Sequence, residues 1–180
     1  MSNNNQENKS SNKEINLEEF KKKIPEIFVK VKNDVRRVIG KQRAGLRLGL
    51  AEMGMYHGGF IGGVHFAPGT EILINKTPLK LLIEHQPYEI VWVYTYHILL
   101  DMYIHSLGVL NEQQRRELTL RITEKVFKEE NHSAVILARN GIGSFFPNLK
   151  LIYAPPDLRP DGIAIEYICN DYNESYNYYL

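Results

Sequence analysis

Residues 94–111 read Tyr-Thr-Tyr-His-Ile-Leu-Leu-Asp-Met-Tyr-Ile-His-Ser-Leu-Gly-Val-Leu-Asn, and this stretch decides the fold. It lies inside a segment, Tyr88 to Gly108, whose residues are apolar or aromatic on nearly every side. A helix that is apolar all round is buried in a protein core. A glycine directly after the last turn commonly ends a helix, because it adopts the left-handed conformation that this end requires. The sequence therefore predicts a buried central helix over residues 88–108.

The polar residues of this helix follow the spacing of a known metal motif. Zinc peptidases carry His-Glu-x-x-His on a buried helix, where the two histidines bind the metal and the glutamate activates a water molecule. In an extended form, a glycine follows three residues after the second histidine and a third ligand comes three residues later. Aligned on His105, the turning glycine is Gly108. The first-ligand, glutamate and third-ligand positions hold Asp101, Met102 and Asn111.

Three pieces of the chain together resemble a group of small, uncharacterised archaeal zincin-like proteins of the HExxH metallopeptidase type. They are Gly58-Gly-Phe-Ile-Gly-Gly63, Ile74-Asn-Lys-Thr77, and Leu99-Leu100 continued by Tyr103-Ile-His-Ser-Leu-Gly108. Those proteins typically have His-Glu-Tyr-x-His-Ser-Leu-Gly at the last of these pieces. The resemblance spans residues 45–135 approximately. It implies an α+β, zincin-like fold, in which a small mixed β-sheet with an edge strand packs on a buried active-site-type helix with additional helices.

The motif departs from that pattern at three positions. Asp101 can still bind zinc through a carboxylate oxygen, but Met102 has no proton to accept or donate, so the general base is lost. Asn111 offers only a neutral carbonyl oxygen. The sequence therefore favours a catalytically inactive metallopeptidase-like protein with a binding or regulatory role toward a protein or peptide partner. This interpretation leans against an enzyme and requires no cofactor.

A metal-dependent hydrolase with an unorthodox Asp/His site is the first alternative, and it would require zinc. His97, Asp101 and His105 lie near one helical face, but eight residues span about 12 Å of helix, too far for one ion to reach all three. The candidate metal ligands are therefore an adjacent pair of these residues, helped by His132 or Asp157. The competing interpretation is a buried, hydrogen-bonded His-Asp-His ladder, since buried charge needs such partners.

A cluster of basic residues near the start of the chain suggests a second alternative, a nucleic-acid-binding accessory protein. Residues 21–47 hold ten basic residues against two acidic ones, in a chain whose net charge is only +1. Lysine and arginine bind phosphate, and the candidate residues are Lys21, Lys22, Lys23, Arg36 and Arg37. A solvated helix face explains the same pattern.

Composition excludes several other classes of protein. The 180 residues are 43% hydrophobic and 11% aromatic, enough to build a core. Cys169 is the single cysteine, which rules out an intrachain disulfide framework and suits the cytoplasm. The most apolar stretch is well short of the roughly 20 residues that cross a bilayer, so we expect no membrane association. We expect a disordered arm over 1–16, a single domain over 17–170, and a Tyr/Asn-rich tail over 171–180.

Local patterns predict the remaining elements. Apolar residues at three- and four-residue steps indicate a helix over Leu17–Lys41, with Pro25 suggesting that it begins there. Glycine-dense residues 45–69 are typical of strand fragments joined by tight turns. The other predictions are a strand over Glu71–Asn75, a short helix capped by Thr77 that extends through Leu82, a helix over Asn111–Glu130, loops after Asn131, and a strand over Ile163–Cys169.

Overall fold

A computed structural model describes residues 15–155, 158 and 161–170. The helices are α1 (Leu17–Lys21), α2 (Ile24–Ile39), α3 (Lys76–His85), α4 (Tyr88–Ser106), α5 (Glu112–Phe127) and α6 (Ser133–Asn140), followed by a short 3-10 helix at Ile142–Ser144. The strands are β1 (Arg47–Ala51), β2 (Phe60–Ile61), β3 (Gly63–His65), β4 (Glu71–Asn75), β5 (Leu151–Ile152) and β6 (Ile165–Asn170). The predicted α+β class is confirmed at this level.

The strands form two small sheets. Four of them lie in the order β3-β4-β1-β6, with β1 parallel to β4 and the other two pairings antiparallel. This sheet is mixed, and β3 lies at one edge of it. β2 pairs separately, in parallel, with β5. Because β2 and β3 are separated by Gly62 alone, the segment that carries β5 runs past the edge of the main sheet.

The predicted central helix is α4, and it is buried as its composition requires. It packs against α2, α3, α5 and α6 and against strands β3 and β4. Tyr94, Tyr96 and Tyr103 are among the largest fully buried side chains. The helix ends at Ser106, and Gly108 follows with φ at +94°, a conformation that favours glycine. The prediction is confirmed to within two residues at its end.

β3 lies directly on α4 because its first residue has no side chain. A Cβ atom at Gly63 would lie 2.7 Å from Cγ2 of Ile98 and 2.9 Å from the backbone oxygen of Leu73. Both distances are shorter than ordinary van der Waals contact. The missing side chain at Gly63 therefore permits the close approach of strand and helix.

The N-terminal helices and α3 differ from prediction in their boundaries. The predicted helix over 17–41 is divided into α1 and α2, and Pro25 occupies the first turn of α2. The cap of α3 is Asn75, whose side-chain oxygen accepts the N–H of Thr77, so Thr77 as N-cap was wrong. The Asn75 amide also donates to Ile61 and Gly54 carbonyls. This buried asparagine links β4 to the neighbouring loops, and α3 therefore begins at Lys76, before the predicted start.

The loop predicted after Asn131 was also wrong, since α6 occupies residues 133–140. Its buried residues, Ala134, Val135, Leu137 and Ala138, face the core, where the helix packs on α4 and α5. Eight residues are too short a run for periodicity to stand out beside a glycine- and proline-rich neighbourhood. Tertiary packing therefore decides this helix.

The predicted arm and tail fall almost wholly outside the described residues. Of the arm, Ile15 and Asn16 are described, and the side chain of Asn16 caps α1 by accepting the N–H of Glu19 at 2.9 Å. Within the described part of the chain, no helix combines the length and the apolarity needed to cross a bilayer.

Candidate functional site

A cavity of about 550 Å³ opens between α4, β3, α5 and the segment that carries β5. Its walls are largely apolar. Its polar lining comes from four parts of the fold: His97, Asp101 and His105 on α4, Arg115, Arg116 and Thr119 on α5, His65 on β3, and Lys150 and Tyr153 in the segment that carries β5. The cavity therefore brings together three of the five sequence-predicted metal candidates, His97, Asp101 and His105.

A buried ion pair occupies the first-ligand position of the motif. The Nε atom of Arg115 donates to Oδ1 of Asp101 at 3.0 Å, and the two side chains are only 5% and 10% exposed. Burial raises the pKa of the Asp101 carboxyl above its ordinary value, and the Arg115 charge opposes that shift. The guanidinium carbon of Arg115 also lies 5.3 Å from the centre of the Tyr153 ring. Asp101 is thus a salt-bridge acceptor in this site.

His105 lies next to a histidine of the edge strand. The rings of His65 and His105 are 5.2 Å apart, edge to face. Nδ1 of His65 is 2.8 Å from the backbone oxygen of Glu71. Because a carbonyl only accepts, Nδ1 carries the proton and Nε2 is left as an acceptor. Nε2 is buried and has no hydrogen-bond partner.

Burial keeps these histidines neutral near pH 7. It is the main cause that lowers the pKa of His105 to about 4, with the nearby Arg115 charge and His65 adding to the effect. Burial also lowers the pKa of His65, and that of His97 to about 4, where Arg116 contributes. The cavity is therefore lined by uncharged imidazoles.

The predicted His-Asp-His ladder does not form. Asp101 bonds to Arg115 instead, and Nδ1 of His97 is buried without a hydrogen-bond partner. The two helices α4 and α5 face each other here, so an arginine from the second helix takes the place that the sequence analysis gave to the histidines of the first.

The remaining motif residues have local structural roles. Met102 lines the cavity and is 6% exposed. Asn111 is the N-cap of α5, where its side-chain oxygen accepts the N–H of Gln114 at 3.0 Å. Gly108 forms the turn between α4 and α5. The third-ligand position of the motif is therefore used to start a helix.

His132 lies apart from the cavity. Its Nδ1 accepts the N–H of Ala134 at 3.1 Å, capping α6, and its ring stacks on Phe127 with the centres 4.3 Å apart. The other outside ligand considered, Asp157, falls beyond the described residues. Neither one contributes a described donor to the cavity.

Acidic neighbours pair with three of the five candidate phosphate-binding residues. Lys21 pairs with Glu18 and Glu166, Lys23 with Glu26 at 3.7 Å, and Arg37 with the buried Asp34 at 3.1 Å. Lys22 and Arg36 are exposed. These pairings reduce the local positive charge that suggested phosphate binding.

The donor set of the cavity does not fit zinc. A tetrahedral site needs three or four His, Cys, Asp or Glu donors converging on one point, and no such group of three occurs among the described residues. The carboxylate of Asp101 is committed to Arg115, and the positive guanidinium would oppose a cation beside it.

Sequence reasoning missed Arg115, His65 and Thr119 as site residues. Arg115 belonged to a charged helix with five basic and five acidic residues, in which nothing distinguished it from Arg116. His65 lies in the glycine-dense residues 45–69, for which the sequence predicted only strand fragments and turns. Only the register of α5 against α4 gives these residues their importance.

Comparison with protein-family models, with curated proteins and with solved structures finds no match for this chain.

Proposed function

We propose that this protein is a catalytically inactive, zincin-like metallopeptidase relative that binds a ligand in the cavity between α4 and β3. The observation that carries the proposal is the buried pair of Asp101 and Arg115. It replaces a metal ligand by a structural ion pair at the centre of the motif. Met102 stands where a peptidase would carry its general base, and a thioether cannot activate water.

The edge strand on a buried helix supports the zincin-like part of the proposal. In this arrangement the cavity lies beside both the strand and the motif, where the resemblance places a substrate cleft. Its volume of about 550 Å³ is within the range of small-molecule sites, roughly 300–1,000 Å³. Apolar walls with a few convergent polar groups are also typical of such sites. The cavity can therefore bind a ligand although the protein does not hydrolyse peptides.

Two measurements test the proposal. The first is peptide hydrolysis by protein purified with excess zinc, with and without a chelator; chelator-sensitive cleavage would refute catalytic inactivity. The second is binding of Nile red, a neutral apolar dye whose fluorescence rises in apolar sites, to the wild-type protein and to Gly143→Trp. Gly143 lines the cavity, and a Cβ there would meet no atom within 4 Å.

We expect the wild type to bind the dye and Gly143→Trp to lose binding at least about tenfold, because the indole fills the space. Ser144→Trp is the matched control, since Ser144 is exposed and lies outside the cavity lining. Absence of dye binding to the wild type, or equal binding by both tryptophan variants, would refute ligand binding in this cavity.

A further inference from the structure

We propose that one end of this cavity, formed by His97, Thr119 and Arg116, binds the carboxylate of an apolar monocarboxylic acid, such as a medium-chain fatty acid. The inference rests on the proposed function, because it names the ligand class of the same cavity.

The register of the two helices brings His97 and Thr119 together. α4 and α5 pack on each other and are joined only by residues 107–111, so they run antiparallel. The bond from Arg115 to Asp101 aligns them. His97 lies four residues before Asp101 on α4, and Thr119 lies four residues after Arg115 on α5. Residues four apart lie on one helical face, so His97 lies opposite Thr119, one turn from the ion pair.

Both residues carry a polar atom without a partner. Thr119 is 1% exposed, and its Oγ1 has no hydrogen bond. The Nδ1 atom of His97 is likewise buried without a hydrogen-bond partner. Both residues line the cavity. A buried polar group without a partner reduces stability, whereas a ligand that enters the cavity can satisfy it. Two such atoms on adjoining helices that line the same cavity therefore indicate where the polar end of a ligand lies.

Arg116 supplies a positive charge at this end. It lies on α5, three residues before Thr119, and lines the cavity although it is exposed. It has no ion pair within the described part of the chain. Its charge acts on His97, whose pKa it helps to lower. An unpaired guanidinium beside a hydroxyl donor is suited to an anionic acceptor.

The balance of charge favours a carboxylate over a phosphate monoester. Arg115 is paired with Asp101 of α4, so Arg116 is the cation that α5 contributes to the cavity without an ion pair among the described residues, and Lys150 lines it from the segment that carries β5. The Asp101 carboxylate would repel a dianion about twice as strongly as a monoanion, and a carboxylate carries a single charge and can accept from both Thr119 and Arg116. His97 adds a donor when its neutral ring carries the proton on Nδ1.

The apolar part of the cavity lining fits an apolar chain. It includes Ile98, Met102, Leu137, Ile142, Leu149 and Ile152. Burial of methylene groups against such walls gives affinity without specific polar contacts. A fatty acid combines one anionic group with one apolar chain, which matches this lining.

The experiment is the displacement of Nile red from the full chain by decanoate, decanol and decyl phosphate, each below its micelle concentration. We expect decanoate to bind more tightly than decanol or decyl phosphate. We expect Arg116→Gln and Thr119→Val each to weaken the binding of decanoate at least about tenfold, because hydrogen bonds to a charged group are stronger than those between neutral groups. Decanol and the dye carry no negative charge, so their binding should weaken less than that of decanoate. Arg121→Gln, an exposed arginine of α5 outside the cavity lining, is the matched control and should not affect decanoate.

A second measurement separates ligand binding from a structural role of Thr119. Thr119→Val removes an unpartnered buried hydroxyl and keeps the shape of the side chain, so the urea midpoint of the ligand-free protein should stay the same or rise. A lower midpoint would show that the hydroxyl stabilises the fold and would contradict the inference.

The outcomes distinguish the two proposals. Suppose that Nile red binds but decanoate binds no more tightly than decanol, or that decyl phosphate binds most tightly. Ligand binding in the cavity is then supported, and the carboxylate site is refuted. Equal decanoate affinities for Arg116→Gln and Arg121→Gln refute it as well. If Nile red does not bind the wild type at all, the proposed function fails and this inference fails with it.

Discussion

The Nε atom of Arg115 donates a hydrogen bond of 3.0 Å to Oδ1 of Asp101, across the interface of α4 and α5. This contact sets the register of the two helices. It satisfies the polar groups of both residues inside the cavity. Asp101 carries an arginine partner, whereas His97 and Thr119, one turn further, carry none.

The first prediction concerns the stability that this ion pair provides. Asp101→Leu and Arg115→Met should each lower the free energy of unfolding by roughly 3–5 kcal/mol, because each leaves an unpaired buried charge. The double variant should lose far less than the sum, since both charges are removed. Urea denaturation of the four proteins measures this coupling. Additive losses would show that the two residues do not interact.

The second prediction restores the metal motif. Asp101→His, Met102→Glu and Arg115→Met together should yield a protein that retains about one zinc per chain after a chelator wash, since histidines one helical turn apart can hold the metal. Replacement of Arg115 removes the opposing charge, and Nε2 of the neighbouring His65 is an available third donor. Elemental analysis measures the zinc.

The same triple change combined with His105→Ala is the control and should hold no zinc. A folded triple variant that takes up no zinc would contradict the zincin-like arrangement of this helix.

The third prediction concerns acid sensitivity. The pKa of His97 is lowered from an ordinary value near 6.5 to about 4, chiefly by burial. The unfolded chain therefore binds a proton before the folded protein does, and stability falls as the pH drops from about 6.5 to about 4. A shift of this size corresponds to about 3 kcal/mol. Urea denaturation at several pH values should show a smaller loss over this window in His97→Leu than in the wild type.

An NMR titration gives a direct check on His97. Its ring resonances should not titrate above about pH 5 in the folded protein, given a pKa near 4. Titration near pH 6.5, together with identical pH profiles of wild type and variant, would contradict the burial of this ring.

The fourth prediction concerns the contact between β3 and α4. Gly63→Ala should lower the free energy of unfolding by about 1–3 kcal/mol, because the added methyl meets Ile98 and the Leu73 backbone at less than 3 Å. Gly143→Ala is the control: its Cβ meets nothing, so stability should stay the same or rise by up to about 1 kcal/mol. Thermal denaturation compares the two, and equal effects would contradict the close approach of strand to helix.

The sequence was sufficient to predict the central helix and part of the site. An unbroken apolar segment of this length buries itself whatever surrounds it, so α4 was found with nearly the correct ends. The spacing of Asp101, Met102 and His105 placed them on one helix, and a helical face is a local property of the chain. The short strand β4 was predicted with the bounds that it has, because the apolar run Ile72–Ile74 is typical of a buried strand.

Tertiary structure alone decided which of these residues are partners. Arg115 was one of five basic residues on a charged helix, and it became the partner of Asp101 only when α5 packed on α4. The pairing of β3 with β4 places His65 beside His105. The helix α6 is stabilised by packing of its apolar face against the core. Hydrogen bonding and loss of water depend on neighbours brought together from distant parts of the chain. Local patterns in the sequence do not carry that information.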